Sequence, residues 1–566
     1  MQIQRTLLFV AIGVVTYLMV LAWKDDHSQQ ETQPAPTVAE SSQPEAGDFP
    51  DEADAPEAVV DAELDVDITE KPQAQDNHII TVKTDVYDIE IDLNGGDISK
   101  VALLHYPQKV DSPDTPFVLL TPDRSYAAQS GFIGRQGTHG STVAKWVSEH
   151  QHYELEDGED SLTVTLQLKQ ENGTLITRKL LFSRDSYDIK NQYIIDNSEG
   201  NAPWRASLFG QITRDGSSDP SKDTTGFAPM PTYLGAAYWS PDKPYNKVKL
   251  SDIKKGSFET SHEGGWIAFI QHYFVTAWVP DPQQTYKYST VYSPNRDRYM
   301  LRFVSPSIEV EPGQIKEVDA DLFVGPKKQD ELKALSPGLH MTVDYGWLWF
   351  ISQPIFALLV FLQSGNITIF GKEISLGFGV GNWGVAIILL TFIIKLLFFK
   401  LSATSYRSMA RMRKVAPEMQ RIREQYKNDR QKQSMEMMKL YKKEQINPLG
   451  GCLPILVQMP VFISLYYVLL ESVELRQAPF FGWIVDLSVM DPLFILPLLM
   501  GASMWFQMRL NPAPQDPTQA QVMKWMPVVF TIFFLWFPAG LVLYWLTNNI
   551  LSIAQQWFIT RQIEKE

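Results

Sequence analysis

Apolar and polar residues are strongly segregated along this 566-residue chain, and two kinds of pattern alternate. Residues 6–23 form an apolar block, residues 77–326 alternate between apolar and polar positions, and long apolar blocks recur over residues 384–559. Alternation is typical of strands with one buried face, whereas apolar blocks of about 18 residues or more are long enough to span a bilayer. The pattern therefore predicts a β domain set between membrane-spanning helices.

The middle region contains many short alternating runs that end at turn residues. In VYDIEIDLNGG, residues 86–96, isoleucine and leucine share one face and the carboxylates share the other before an Asn-Gly turn. Similar runs lie at 161–168, 187–195, 286–293, 298–304 and 316–324. Many strands of this kind predict a large antiparallel sandwich over residues 77–326. Residues 121–150 and 227–247 lack the alternation and are predicted to be long surface loops.

Charge is concentrated near the N-terminus. Residues 25–70 contain 15 Asp or Glu and no Lys or Arg, which accounts for the whole net charge of -15. A self-repelling, Pro-containing segment cannot bury a core, so residues 25–76 are predicted to be a disordered linker and indicate no cationic partner. The apolar block before it has no small-residue cleavage site, which favours an uncleaved membrane anchor over residues 1–24 rather than a signal peptide.

The C-terminal third contains five candidate spans, which make six with the anchor. They lie at about 384–401, 450–471, 490–508, 522–537 and 539–559. Residues 400–447 carry 13 Lys or Arg against 5 Asp or Glu, whereas residues 471–491 carry one Arg against four acids. Because basic loops stay in the cytoplasm, both termini are predicted to be cytoplasmic and the β domain external. If the apolar segment 345–365 also spanned the membrane, the basic residues 400–447 would face outward. Residues 327–383 are therefore predicted to hold a connecting helix and an interfacial amphipathic helix.

The basic loop is predicted to be a cytoplasmic helical hairpin over residues 402–447. Pro417 should interrupt its first arm, and residues 427–430 supply the turn. Apolar positions follow three–four helical spacing at Met409, Met412, Val415, Met419, Ile422 and Tyr426. Two interpretations remain open: a solvated hairpin that only sets topology, or a docking surface for anionic lipid, ribosomal RNA or a partner helix.

One charge interrupts the first of the five spans. In TFIIKLLFFK, Lys395 lies near mid-membrane, where a charged side chain costs about 2.5–3.5 kcal/mol on insertion scales. Snorkelling to the cytoplasmic interface is one explanation, but Lys400 already occupies that interface. Within the predicted spans, Asp and Glu occur only at the outer ends, and the spans supply neutral polar groups such as Thr391, Gln458 and Asn548. We therefore expect Lys395 to face a hydrated polar cavity.

The sequence gives little indication of catalytic or metal chemistry. Its single cysteine, Cys452, excludes an intramolecular disulfide and a multi-cysteine metal site. His262 and His272 match no zinc spacing and are expected to be ordinary structural histidines. We expect no cofactor and no enzyme activity. Two other classes stay open at this point: a small-anion transporter or channel, and a carbohydrate-binding or enzymatic β module.

Three long segments carry a resemblance to a known family. They are NPLGGCLPILVQMPVFISLYYVLLESVELRQAPF, DPLFILPLLMG and FFLWFPAGLVLYW. These segments closely resemble the YidC membrane protein insertases, whose relatives are the mitochondrial Oxa and chloroplast Alb proteins. The resemblance covers the whole plan of the chain and implies a Gram-negative inner-membrane protein. It also implies that the periplasmic domain is a β-supersandwich and that residues 384–566 form a five-helix insertase core.

The resemblance implies an insertase and chaperone without catalytic residues. Family members have a hydrophilic groove in the inner leaflet with a positive residue, usually Arg, at the position of Lys395. The other positions that match groove or substrate-contacting residues are Thr391, Gln458, Met459, Phe462, Trp536 and Tyr544. The implied partners are nascent membrane proteins, the Sec translocon with its accessory subunits, the ribosome through the basic hairpin, and anionic lipids, but not DNA. An anion transporter is disfavoured because inverted repeats and intramembrane carboxylates are missing.

Overall fold

In a computed structural model, the chain is described over residues 78–139, 143–217, 232–256, 258–369, 372–375, 377–444, 453–510 and 517–565. The predicted anchor and the whole of the predicted acidic linker lie outside these residues. The described chain is rich in strands up to Pro326 and mainly helical from Gln329 onward.

The alternating runs form the strands of a sandwich. These strands are β1 (Ile79–Lys83), β2 (Tyr87–Asp92), β3 (Asp97–Lys109), β4 (Ser112–Leu120), β5 (Ala127–Ile133), β6 (Val147–Ser148), β7 (His152–Glu154), β8 (Ser161–Lys169), β9 (Leu175–Ser183), β10 (Asp188–Asp196), β11 (Trp204–Asp215), β12 (Gly235–Tyr238), β13 (Asn246–Lys249), β14 (Glu259–Glu263), β15 (Ile267–Ile270), β16 (Phe274–Pro280), β17 (Thr285–Ser293), β18 (Arg298–Val304), β19 (Ile308–Val310) and β20 (Ile315–Pro326).

The strands form two sheets that pack face to face. The larger sheet runs β14-β17-β18-β11-β5-β3-β2-β1-β7, with β19 beside β11 and β4 beside β3. The smaller sheet runs β13-β12-β15-β16-β20-β10-β9-β8-β6. Hydrogen bonds cross the interior, for example from the Tyr126 hydroxyl to Thr276 Oγ1 at 2.9 Å. The prediction of a large, mainly antiparallel sandwich is confirmed.

The alternation in the sequence matches the two faces of the strands. In β2, Ile89 and Ile91 are fully buried, whereas the acidic residues between them are partly exposed. Three tryptophans, Trp204, Trp266 and Trp278, are also fully buried in this core. Burying one large apolar side chain contributes about 1.5–3 kcal/mol, so the two inner faces supply the main stabilisation of the domain.

The predicted surface loops at 121–150 and 227–247 were wrong in part, because each contains a strand inside a sheet. β5 lies at the centre of the larger sheet, and β12 is almost wholly buried in the smaller one. The polar residues of β5 hide its alternation because the interior satisfies them: Ser130 Oγ lies 2.8 Å from the Tyr193 hydroxyl, and Gln129 donates to Asp97 Oδ2 at 2.8 Å.

Helices dominate the chain after the sandwich. One short helix, α1 (Leu250–Lys255), lies between β13 and β14. The others are α2 (Gln329–Leu335), α3 (Trp349–Ser364), α4 (Trp383–Leu397), α5 (Phe399–Lys414), α6 (Ala416–Gln425), α7 (Arg430–Lys443), α8 (Leu453–Glu471), α9 (Ile495–Leu510), α10 (Pro517–Phe534) and α11 (Ala539–Lys565). A small hairpin, β21 (Asn366–Ile369) and β22 (Lys372–Ser375), joins α3 to α4.

Each of the five spans predicted in the C-terminal third overlaps a helix, but the prediction of six membrane-spanning helices is not confirmed. Among the described residues, only Gly346–Ser364 is by itself long and apolar enough to cross a membrane, and this is the segment that was predicted to be interfacial. The first predicted span is broken at Phe398, where α4 and α5 meet at a 68° bend, and this pair passes only when taken together. Val457–Glu471 and Ala520–Phe534 are shorter apolar helices.

The sandwich meets the helical region through polar contacts at the end of α8. The His272 ring donates through Nε2 to the Leu470 carbonyl at 2.7 Å. The Arg476 guanidinium donates to the Pro107 carbonyl at 2.7 Å. His272 is therefore a structural residue that fixes α8 against the sandwich.

Candidate functional site

Lys395 lies on the buried face of α4, in its last turn. The helix is N-capped by Asn382, whose side chain accepts a hydrogen bond from the Val385 amide at 3.1 Å. The inward face consists of Ala386, Ile387, Leu390, Thr391, Ile394 and Lys395. Large apolar side chains point the other way and are exposed, namely Phe392, Ile393, Leu396 and Leu397. The helix thus hides its only charge and exposes its apolar residues, as expected of a helix that faces lipid.

The Lys395 ammonium is bound by a neutral hydroxyl. Its Nζ donates to Ser552 Oγ of α11 at 2.7 Å, and the residue is only 7% exposed. Ser552 in turn donates its proton to the Asn548 carbonyl at 2.7 Å. Among the described residues, no carboxylate forms an ion pair with Lys395. In the described residues the hydrogen-bond partner of this cation is therefore a neutral polar group.

Thr391 lies one helical turn before Lys395 and is fully buried, but its hydroxyl is already occupied. It donates to the Ile387 carbonyl of the same helix at 2.7 Å. Asn548, also predicted as a site residue, contributes its backbone carbonyl to the Ser552 hydroxyl. Sequence reasoning missed Ser552 itself, because a hydroxyl on a distant helix is recognised only when the register between α4 and α11 is known.

Aromatic side chains join α8, α10 and α11. The Phe462 ring stacks on the Tyr544 ring at 6.3 Å between centroids and meets the Trp545 ring edge-on at 4.7 Å. Phe534 contacts both Phe462 and Trp545. Phe462 and Tyr544 were predicted site residues, and the structure brings them together, whereas Phe534 and Trp545 were not predicted. Tyr544 is only 2% exposed and thus acts here as a packing residue.

The remaining predicted residues lie on α8 and at the α10–α11 turn. Met459 is exposed, and Gln458 beside it is half-buried. Trp536 is half-buried in the turn between α10 and α11. The start of α11 is anchored to the segment before α9, because the Ala539 amide donates to the Val489 carbonyl at 2.7 Å and the Gly540 amide donates to the Leu487 carbonyl at 2.9 Å.

Several buried polar atoms of α8 and α11 have no hydrogen-bond partner among the described residues. They include Gln458 Nε2, Ser464 Oγ and Tyr466 Oη of α8, and Trp545 Nε1 and Gln555 Oε1 of α11. A buried polar group without a partner costs about 1–3 kcal/mol, so such groups are normally paired with protein or with ordered water. These atoms of α8 and α11 are therefore candidate partners for ordered water or for a polar ligand.

The basic helical hairpin contacts α9 and α11. Arg413 at the end of α5 donates to the Leu510 carbonyl at 2.9 Å, and Gln556 of α11 donates to the same carbonyl at 3.1 Å. The first arm is interrupted between α5 and α6, where Pro417 occupies the first turn of α6, as the sequence predicted. The carbonyl end of α9 therefore ties the hairpin to the helix that carries Ser552.

Comparison with known proteins identifies the family. A family model described as the YidC periplasmic domain matches residues 79–358, and one described as 60Kd inner membrane protein matches residues 375–566. The membrane protein insertase YidC of Alcanivorax borkumensis is 58% identical over 580 residues, which cover all of both chains. This chain belongs to the YidC family of membrane protein insertases. The predicted function, membrane protein insertion, is confirmed, and the anion-transporter alternative is not supported.

Other members of the YidC family give the same result. The membrane protein insertase YidC of Pseudomonas fluorescens is 50% identical over 575 residues, covering all of this chain and 99% of the relative. A solved structure of an active YidC insertase with its first transmembrane domain resolved covers 85% of this chain and 92% of its own, at 18% identity and a TM-score of 0.38. The family assignment rests on the family models and on the full-length relatives. The sandwich is accordingly the periplasmic domain of an insertase.

Proposed function

We propose that this insertase accepts nascent membrane proteins in a polar groove between α4, α8 and α11, and that Lys395 attracts acidic segments of the substrate into that groove. The observation that carries the proposal is the inward-facing ammonium, which is bonded to a neutral hydroxyl and is in no ion pair among the described residues. A cation without a countercharge keeps its attraction for an incoming anion.

The magnitude of this attraction is sufficient for the task. A substrate segment that leaves the cytoplasm must cross about 30 Å of hydrocarbon, where one acidic residue costs about 2.5–3.5 kcal/mol. Two opposite charges 4 Å apart attract each other by about 4 kcal/mol at an effective dielectric constant of 20. Lys395 can therefore offset the free-energy cost of roughly one carboxylate, while the polar groove shortens the distance that the segment must cross through hydrocarbon.

The apolar part of the substrate follows a different surface. The outer face of α4 presents Phe392, Leu396 and Leu397, and Met459 of α8 is also exposed. Methionine adapts its shape to many partners, so it suits substrates that differ in sequence. In our proposal the transmembrane segment of the substrate moves along these side chains into lipid while its polar end occupies the groove.

The membrane topology and the partners are part of the proposal. Six spans with both termini in the cytoplasm place the sandwich in the periplasm and the basic hairpin of α6 and α7 in the cytoplasm. The excess of Lys and Arg over residues 400–447 supports docking to the ribosome or to anionic lipid. Co-sedimentation with ribosomes at increasing salt tests this directly, because binding to phosphates weakens steeply with ionic strength. Cooperation with the Sec translocon rests on the family resemblance alone.

Reconstitution tests the function itself. The purified protein in liposomes should insert a small, single-span coat-like protein, measured by protection of its external segment from protease. Liposomes of the same lipids without protein are the control. A chloride-sensitive dye inside the same liposomes measures anion flux, and flux without insertion would contradict the proposal.

A further inference from the structure

We infer that Ser552 is a positioning residue for Lys395, which holds the ammonium on the α11 wall of the groove. The inference rests on the proposed role of Lys395. The two side chains come from helices far apart in sequence and meet at 2.7 Å, and Ser552 is only 2% exposed. A hydrogen bond to a charged group is strongest in such a shielded place.

The hydroxyl of Ser552 is oriented to accept from a cation. Its own proton is donated to the Asn548 carbonyl, four residues earlier in α11, at 2.7 Å. Its oxygen lone pairs are thereby left for Lys395 Nζ. The side chain of alanine has no acceptor, whereas threonine can make the same bond to the preceding turn and keep the oxygen in place.

The helix that carries Ser552 also packs on the other side of the bend between α4 and α5. Tyr406 and Ala403 of α5 are buried together with Ile559 of α11. The helix that carries Ser552 therefore contacts both helices that flank the 68° bend.

Without this bond, the lysine has a competing position. A lysine side chain is long enough to extend toward the cytoplasmic interface, which begins near Lys400. Lys395 would then leave the inward face of α4, and the groove would lose its charge without any change at residue 395. Ser552 sets the position of the charge, and Lys395 supplies it.

The test uses the full-length protein in liposomes and two single-span substrates that differ only in Asp against Asn in the external tail. Ser552→Ala should lower insertion of the acidic substrate on the order of tenfold and leave the neutral one unchanged, whereas Ser552→Thr should behave as wild type. Ser503→Ala is the matched control, since Ser503 accepts from the neutral amide of Asn549 at 3.1 Å and should leave the acidic-to-neutral ratio unchanged. Labelling of Lys395 by a water-soluble amine reagent, read by peptide mass spectrometry, should increase in Ser552→Ala.

The outcomes separate this inference from the proposed function. In a Lys395→Ala background, Ser552→Ala should have no further effect on the acidic substrate. If Lys395→Ala impairs the acidic substrate while Ser552→Ala changes neither insertion nor labelling, the positioning role is overturned and the proposed function stands. An equal loss for both substrates in Ser552→Ala would also overturn it, because that is a purely structural effect. If Lys395→Ala has no effect, the proposed function fails, and the labelling alone decides whether Ser552 positions the lysine.

Discussion

Lys327 and Glu471 form a buried ion pair between the periplasmic sandwich and the helical region. Lys327 Nζ lies 2.9 Å from Glu471 Oε2, and their side chains are 1% and 8% exposed. Lys327 follows directly after β20 and also donates to the Thr342 carbonyl at 3.3 Å, and Glu471 is the last residue of α8. The pair therefore joins the last strand of the sandwich to a helix that carries part of the proposed groove.

Breaking this pair should destabilise the protein. Lys327→Met leaves a buried carboxylate without its partner, which costs about 3–5 kcal/mol, whereas Lys327→Met with Glu471→Leu removes both charges and should recover most of the loss. Thermal unfolding in detergent measures the effect. Lys169 and Glu199 form the matched control, since they lie 3.1 Å apart but are 67% and 74% exposed, and Lys169→Met should cost less than about 1 kcal/mol. Equal losses in the two single variants would contradict the prediction.

A second acid in the same junction should make stability depend on pH. Burial raises the pKa of the Glu474 carboxyl, which lies just after α8, to about 7 from an ordinary value of 4.5. The folded protein therefore holds a proton that the unfolded chain loses above pH 4.5. As pH rises from about 4.5 to 7, this group should lower the free energy of unfolding by at most about 3 kcal/mol, with no further change above pH 7.

Replacing the acid should remove that dependence. Glu474→Gln stays neutral at every pH, so the difference in unfolding temperature between the variant and wild type should grow between pH 5 and pH 7 in favour of the variant. Because the other titratable groups are the same in both proteins, their contribution to the pH dependence of stability cancels in this difference. A constant difference across this range would show that Glu474 titrates normally.

Tyr544 should act through packing. Its ring is 2% exposed and lies on Phe462, so Tyr544→Ala should cost about 3–5 kcal/mol and lose insertion together with folded protein. Tyr544→Phe keeps the ring and should retain most of the stability and insertion. Met459→Ala, at an exposed position of α8, should change stability little. If Tyr544→Ala abolishes insertion while its unfolding temperature is unchanged, the tyrosine has a direct role with substrate instead.

The sequence predicted those features that depend on local pattern. Alternation revealed β2, and an ammonium between apolar residues revealed the inward face of Lys395. The prediction from alternation failed for β5, where the polar residues Gln129 and Ser130 occur within a strand. Residues distant in sequence hydrogen-bond to them, so these polar residues are tolerated in the sheet. The sequence pattern also could not find Ser552, since the contact depends on the register of two helices. The function came from the resemblance of long segments, and no pattern of charge or hydropathy specified it.

The length of the spans is the other point on which sequence and structure differ. A window of apolar residues continues through Phe398, but the backbone bends there by 68°, so α4 ends three residues before Lys400. Hydropathy measures composition and is insensitive to such a bend. Consequently Lys395 lies in the last turn of a shorter helix, close to where α5 turns away.

The central claim is that the charge at position 395 drives insertion of acidic segments, and comparison of Lys395→Glu with Lys395→Arg tests it most directly. Insertion into liposomes is measured for single-span substrates whose external tails carry Asp or Asn. The account predicts that Lys395→Glu strongly impairs the Asp substrate and affects the Asn substrate little, while Lys395→Arg inserts both. Normal insertion of the Asp substrate by folded Lys395→Glu protein would contradict the account.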